Sequence, residues 1–485
     1  MMSKEVLINR VPGETRVAVL DNNLLEQIVI ERDAQQSLVG NIYKAKVIRV
    51  IPGMQVAFLD IGDRCSAILH IDNLHLAKKN TQIESFLSSG QNLLVQVVKD
   101  PIKDKGAVLT TDVSIPSHSL VYRQSRKKLA ISRQIKDVSE RDRLAELFES
   151  AASSAVAPEG FSGHFILRSV AEGLNEEQLL FDMQLLHHLW NDLSEKRMEK
   201  SPVLLHTAPP IYQRLITDSI NKDPLKITVD CPEIYQALNQ LSQHYASNIA
   251  VELSQDYQQK DLFDRNHIEP QINEALEQKV ALDCGGTLVI EETEALSVID
   301  VNSASYLGDT NDQKAYLKVN LEAADTAVKQ ICLRNLSGII IIDFIDMADT
   351  ASEVKVLRRL KEAFARDQAQ PTILDFTALG LVQIARKRTG RSLSQTLCAP
   401  SNKIGTKGVI KSDETLVFEI LRQLIKKAVS SSAKALEIHA SPAVIEQLQK
   451  KYSVQIKQYE SIAECSVKLY PQHITHCDEF NIIST

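Results

Sequence analysis

Short apolar runs open the chain, Val6-Leu7-Ile8, Val17-Ala18-Val19-Leu20 and Ile28-Val29-Ile30, separated by Pro12-Gly13 and Asp21-Asn22-Asn23. They predict a three-stranded meander. Strand-like stretches recur at residues 40–50, 54–61, 66–70, 93–98 and 105–111, with Pro52-Gly53 and Gly62-Asp63 as turns and one long insertion between the third and fourth. Five short strands so spaced match a small barrel of the OB type, which binds single strands across its second and third strands. On that face fall Phe58, a candidate base-stacking ring, and Ile68. An isolated Phe in an alternating strand is also a common core residue.

From 114 to 203 strand and helix mix, and Leu179, Met183, Leu186, Trp190 and Leu193 recur at helical spacing, which makes the chain's single Trp structural and leaves His187 and His188 to solvent. Residues 204–272 are helical and mixed, without evident chemistry. Residues 273–396 alternate strand and helix, as an α/β layer domain does. Residues 398–408 read as a linker. The tail predicts a helix over 415–429, a strand over 436–439, a helix capped by Ser441 with Pro442 at its first position, and a strand around 453–458.

Two apolar runs of the α/β domain end in carboxylates: Ser297-Val298-Ile299-Asp300-Val301-Asn302 and Gly338-Ile339-Ile340-Ile341-Ile342-Asp343, the second continuing Phe344-Ile345-Asp346-Met347. Four consecutive isoleucines predict a strand buried on both faces, with the acids emerging at one rim. Ligands of open α/β sheets bind beyond the carboxyl ends of strands, and two converging carboxylates repel unless a cation joins them. Magnesium suits such a pair, since it takes oxygen ligands and is held by one or two carboxylates plus substrate phosphates. The bland reading is a charged residue where a strand meets water; the crowding of Asn302, Asp346 and Asp349 at the same rim weighs against it.

At 485 residues the chain predicts several domains. It has no membrane-length apolar segment and no signal-like start, so it is expected to be cytoplasmic, without a membrane partner. The seven cysteines, Cys65, Cys231, Cys284, Cys332, Cys398, Cys465 and Cys477, are scattered and unpaired in spacing, which suits a reducing compartment. A net charge of −7 does not advertise a nucleic-acid binder, yet cations gather at Arg123, Arg126, Lys127, Lys128 and Arg133, and at Arg386, Lys387, Arg388 and Arg391 with Lys403, Lys407 and Lys411 following. Such local fields are what a phosphate-tracking groove requires, and equally what a solvated face shows.

The segments Ile299-Asp300-Val301-Asn302-Ser303, Asn320-Leu321-Glu322-Ala323-Ala324-Asp325, Leu333 through Met347, and Gly40-Asn41-Ile42-Tyr43-Lys44 together resemble the ribonuclease E/G family, and the likeness runs over roughly residues 5 to 470. The length suits the family's shorter members. The resemblance implies an endoribonuclease cutting single-stranded, A/U-rich RNA, active in ribosomal RNA processing and messenger turnover, with precursors of rRNA and mRNA as partners. It implies an α/β and β multidomain fold: an RNase H-like domain without catalytic residues (1–37 and 204–272), an S1 domain of OB type (38–113), a 5′-sensor region (114–203), a DNase I-like catalytic domain (273–396), a zinc-link (397–410) and a small dimerisation domain (411–485).

By the same resemblance Asp300 and Asp343 fall on magnesium ligands, with Mn2+ a possible substitute, and Asn302 on a catalytic asparagine that holds Asp300 or the attacked phosphate in place. Phe58, Ile68 and Lys105 fall at RNA-contacting positions of the S1 domain. Val121, Arg133, Arg168 and Ser169 fall on a pocket for a 5′-monophosphate, which a planar guanidinium can grip bidentately. Cleavage would leave a 5′-phosphate and a 3′-hydroxyl. The departures are specific: Ser401 and Ile404 stand at the two cysteine positions of the zinc-link, Cys398 alone cannot complete a tetrathiolate site, and zinc binding is not expected. A homodimer or higher oligomer would then rest on the small domain. Ile68 replaces an aromatic and Gln370 an arginine, which loosens the grip on substrate. The alternatives are a non-catalytic RNA-binding adaptor and a metal-dependent DNase; magnesium dependence and RNA against DNA cleavage separate them.

Overall fold

The computed structural model describes residues 4–75, 82–101, 105–123, 129–153, 164–214, 225–245, 249–254, 261–303, 313–367, 369–400, 409–431, 435–472 and 480–484. The chain forms two compact units, one of residues 35–224 with 236–250 and the other of 1–34, 225–235 and 251–485. It is a mixed α/β protein.

In the first unit the strands Ile42–Ile51, Val56–Asp60, Ala67–His70, Val108–Thr110 and Asn92–Lys99 pair in that order, and Asn92–Lys99 returns to pair with Ile42–Ile51. The five strands therefore close into a barrel, as their spacing predicts. Ala57, Leu59, Ala67, Leu69, Val95, Val97 and Leu109 fill its core. Val203–His206 adds to the outside of the first barrel strand. A second sheet orders Leu129–Ile131, His164–Leu167, Leu120–Arg123 and Ser114–Pro116, backed by helices Val138–Ser153 and Glu176–Lys196. Trp190 stands at that core's edge, 4.9 Å from Tyr122 and beneath Arg197, so it is structural as expected.

In the second unit the predicted meander is Lys4–Val11, Glu14–Asp21 and Leu24–Arg32, and Leu225–Val229 runs parallel to the first strand. The tail forms a further α/β core, which Val11 at the end of the first strand joins. Ser441 caps the helix Pro442–Lys450 as expected, its hydroxyl accepting from the Val444 amide. The strand predicted around 453–458 is instead the helix Ser453–Ala463. Tyr452, Ile456 and Tyr459 are all buried, an i, i+4, i+7 stripe that the local alternation of Val454 and Ile456 concealed. The tail's other strands, Ser466–Pro471 and Asn481–Ser484, flank Ala435–Ala440.

The sheet that carries the acids orders Lys279–Ala281, Thr287–Glu292, Leu296–Asn302, Gly338–Asp343, Leu381–Arg386 and Thr372–Ile373. Helices Gln313–Leu333 and Thr350–Ala363 pack on one face, where Ile299, Ile340, Ile342, Val382 and Ile384 meet Ala323, Ala327, Val356 and Leu360. The isoleucine strand is thus not buried on both faces. Ile340 and Ile342 are fully buried, but Ile339 is 55 % exposed and Ile341 half-buried, because both helices stack on the same side. An unbroken apolar run reports that a strand can be covered twice; only the path of the crossovers decides whether it is.

Candidate active site

The strands Leu296–Asn302 and Gly338–Asp343 are parallel and in register, so that Asp300 lies directly beside Asp343. Side chains alternate across a strand, and the buried residues Ile299, Val301, Ile340 and Ile342 take the helix-covered face, leaving Asp300, Asn302 and Asp343 exposed together on the other. The expected convergence therefore holds, and among the described residues nothing buries the three side chains on that face. Asn302 Nδ2 donates to Asp300 Oδ2 at 2.7 Å. Gly286 helps fix the end of that strand: a Cβ there would stand 2.9 Å from the Asn302 carbonyl oxygen.

Partial burial raises the Asp343 carboxyl above the usual carboxylate range, and the negative charges of Asp300 and Asp346 push it the same way. Among the described residues no lysine, arginine or histidine forms an ion pair with Asp300, Asp343 or Asp346. Uncompensated carboxylate oxygens that share one face fit a hard divalent cation. Among the described residues no group of three or more His, Cys, Asp or Glu side chains is placed to hold a metal ion, so the protein would supply two carboxylates at most. The donor set suits an ion that keeps waters and takes phosphate oxygens, as magnesium does.

Residues quoted as part of the motif prove to be supports. Asn320, fully buried, donates to the Ile345 carbonyl at 2.8 Å and accepts from the Ile345 amide at 3.1 Å, which clamps the loop bearing Asp346. Its motif gives Asn320 no role by itself, although an Asn on the apolar stripe of a helix is a signal of such a clamp. Glu322 accepts from the Cys284 amide, and Asp325 pairs with Arg359 at 2.7 Å. Asp349 is committed to capping helix Thr350–Ala363 through the Ser352 amide and hydroxyl, which lowers its pKa, so it does not add to the acid cluster.

On the barrel, Phe58 and Ile68 are direct cross-strand neighbours, with Val108 beyond and Arg49 on the other side. Phe58 is half-buried and outside the core, because Ala57 and Leu59 take the inward positions. Lys105 is exposed next to Gly106, where a Cβ would collide with the Ser66 carbonyl 1.9 Å away. Close strand approach thus requires glycine and holds Lys105 near the barrel's third strand.

In the second sheet of that unit, Val121 pairs with Ile166, and Arg168 and Ser169 follow the strand His164–Leu167. Arg133 follows the adjacent parallel strand Leu129–Ile131. The four therefore gather at one end of the sheet. Arg168 Nη1 donates to the carbonyls of Ser117 and His118 at 3.2 and 3.1 Å, which anchors its guanidinium. Ser401 and Ile404 lie outside the described residues. Cys398 begins the strand Cys398–Pro400, paired with Val409–Lys411, and the six described cysteines are free thiols. Among the described residues no helix is long and apolar enough to cross a membrane.

Comparison with known proteins agrees with the resemblance. The model of the Ribonuclease E/G family matches residues 114–389. Ribonuclease G of Escherichia coli (strain K12) is 35 % identical over 494 residues, spanning 99 % of this chain and all of that protein. Ribonuclease G of Haemophilus influenzae is 34 % identical over 497 residues, the whole of both chains. Ribonuclease E of Haemophilus influenzae is 31 % identical over 442 residues, 89 % of this chain and 46 % of that protein. Matched by the family model over more than half its length and by relatives end to end, this chain belongs to the ribonuclease E/G family and is an endoribonuclease, a hydrolase.

Proposed function

We propose that the chain is a magnesium-dependent endoribonuclease for single-stranded, A/U-rich RNA, acting in ribosomal RNA processing and messenger turnover in the cytoplasm, and leaving a 5′-phosphate and a 3′-hydroxyl. The observation that carries the reading is the in-register pair of Asp300 and Asp343 on an open sheet face, with Asn302 bonded to Asp300. Asp300 and Asp343 hold the ion, with manganese a possible substitute. When bound, it lowers the pKa of a coordinated water and offsets charge on the phosphate and the departing oxygen. Asn302 fixes the Asp300 carboxylate, so its oxygens need not reorganise as charge develops.

Phe58, Ile68 and Lys105 hold the unpaired strand on the barrel, where a ring can stack on any base and a lysine can meet phosphate. Val121, Arg133, Arg168 and Ser169 receive a 5′-monophosphate. The domain scheme that accompanies this reading is the one set out from the sequence: an RNase H-like domain of 1–37 with 204–272, an S1 barrel, a sensor region, a DNase I-like catalytic domain, a link without zinc and a small domain through which copies associate.

The test uses a single-stranded RNA with a 5′-monophosphate, the same RNA with a triphosphate, and the matching DNA, each with and without magnesium. The monophosphorylated RNA should be cut fastest, and only with the ion. Asp300→Ala and Asp343→Ala should abolish cutting and leave RNA binding nearly intact, while Arg168→Ala should erase only the monophosphate advantage. Undiminished cutting by either aspartate variant, or binding without cutting under every condition as an adaptor would show, defeats the reading.

A further inference from the structure

Directly paired residues of a sheet share a face, so register fixes which side chains stand in line with the acids. Lys279 pairs with Val289, Val289 with Asp300, Asp300 with Asp343, and Asp343 with Leu381. One rung thus crosses five strands on the open face. Lys279 is exposed, while its neighbour Val280 turns to the core, as alternation requires. Two strand spacings of about 4.8 Å put Lys279 roughly 10 Å from Asp300. Among the described residues whose pairing places them on this face, it is the one cation, and no ion pair joins it to a described residue. The next rung along the strands is Glu291, Val298, Ile341 and Gln383, and the one after it is apolar, Leu296 with Ile339 and Ala385.

Asp300, Asp343, Asp346 and Glu291 make this face repel a polyanion, and a bound cation offsets that only at the scissile phosphate. Resting on the reading of Asp300 and Asp343 given above, we propose that Lys279 is a positioning residue that holds the RNA backbone phosphate next to the scissile one. The strand then crosses the sheet along the acid rung, with its bases over the apolar side chains of Val298, Ile341, Leu296 and Ile339. A compact ammonium on a flexible four-carbon stem suits a phosphate met as a point charge, at about one nucleotide's distance from the acids.

The experiment measures binding of a single-stranded RNA with a mapped cut site, in EDTA so that nothing is cut, across a salt series. Neutralising one phosphate contact on a single strand contributes a slope of about 0.7 in log affinity against log salt, which at 0.1 M salt is roughly a fivefold effect. Lys279→Ala should lose both, and Lys279→Arg should keep both. A neutral methylphosphonate at the linkage beside the cut site should weaken wild type about fivefold and Lys279→Ala no further. An unchanged salt slope in Lys279→Ala, or an equal methylphosphonate penalty in both proteins, overturns the proposal. Because no metal or cleavage enters, these outcomes are separate from those of Asp300→Ala and Asp343→Ala, which test the catalytic reading.

Discussion

Replacing Asn302 by Ala removes one hydrogen bond, from Nδ2 to Asp300 Oδ2 at 2.7 Å, and little else, since Asn302 is exposed and outside the core. A hydrogen bond to a charged group contributes about 1.5–3 kcal/mol, and exposure places this one at the lower end. At 1.36 kcal/mol per factor of ten, Asp300 should lose about tenfold in its hold on magnesium, within the 10- to 100-fold range for groups that orient metal ligands. The assay is initial cleavage rate against magnesium concentration for wild type, Asn302→Ala and Asn302→Asp, with thermal melting as a control. Half-saturation should rise about tenfold for Asn302→Ala, and unfolding free energy should stay within about 0.5 kcal/mol. Asn302→Asp replaces the donor with a third carboxylate facing Asp300 and should also lose activity. An unchanged magnesium midpoint together with an unchanged maximal rate in Asn302→Ala would refute the argument that this bond readies the acid pair.

On the barrel, Phe58→Ala should weaken single-stranded RNA binding by about 1–3 kcal/mol, as loss of one stacking ring does, with barrel stability little changed because the ring lies outside the core; equal affinity in an anisotropy titration argues against stacking. Glu14, 1 % exposed, accepts from Arg32 Nε at 3.0 Å and Arg422 Nη1 at 2.5 Å, so Glu14→Ala leaves two buried cations short of a partner and should cost about 3–5 kcal/mol in urea unfolding; a cost below 1 kcal/mol contradicts this. Burial alone would raise the Glu269 carboxyl, but Arg16, with Arg422 and Lys426, overrides it and holds the group at about 2, against 4.5 unfolded. A depressed carboxylate stabilises the fold above pH 4.5 and loses that contribution as pH falls toward 2, so Glu269→Gln should be less stable at pH 7 by at most about 3 kcal/mol and indistinguishable near pH 2; an equal gap at both pH values refutes the linkage.

What the sequence made legible follows from the range of the interactions involved. The barrel was readable because each strand announces itself through local alternation and the turns Pro52-Gly53 and Gly62-Asp63. The acid pair was readable because Asp300 and Asp343 each end a run that is plainly a strand, and adjacent parallel strands bring such ends together. The open face behind them was not readable. Ile339 and Ile340 are the same residue in the same run, yet one is 55 % exposed and the other fully buried, a difference set by where helices Gln313–Leu333 and Thr350–Ala363 cross. Helix Ser453–Ala463 hides for a related reason: within six residues Val454 and Ile456 satisfy a period of two, and only the next turn, which adds Tyr459 to Tyr452 and Ile456, reveals a period of 3.6. Lys279 was invisible because nothing near it in the chain is catalytic; its place beside the acids exists only through the pairing of three strands. Motif residues declare themselves by spacing, whereas residues that steer substrate declare themselves by register, and in this fold register is what aligns one lysine with two aspartates across an exposed sheet.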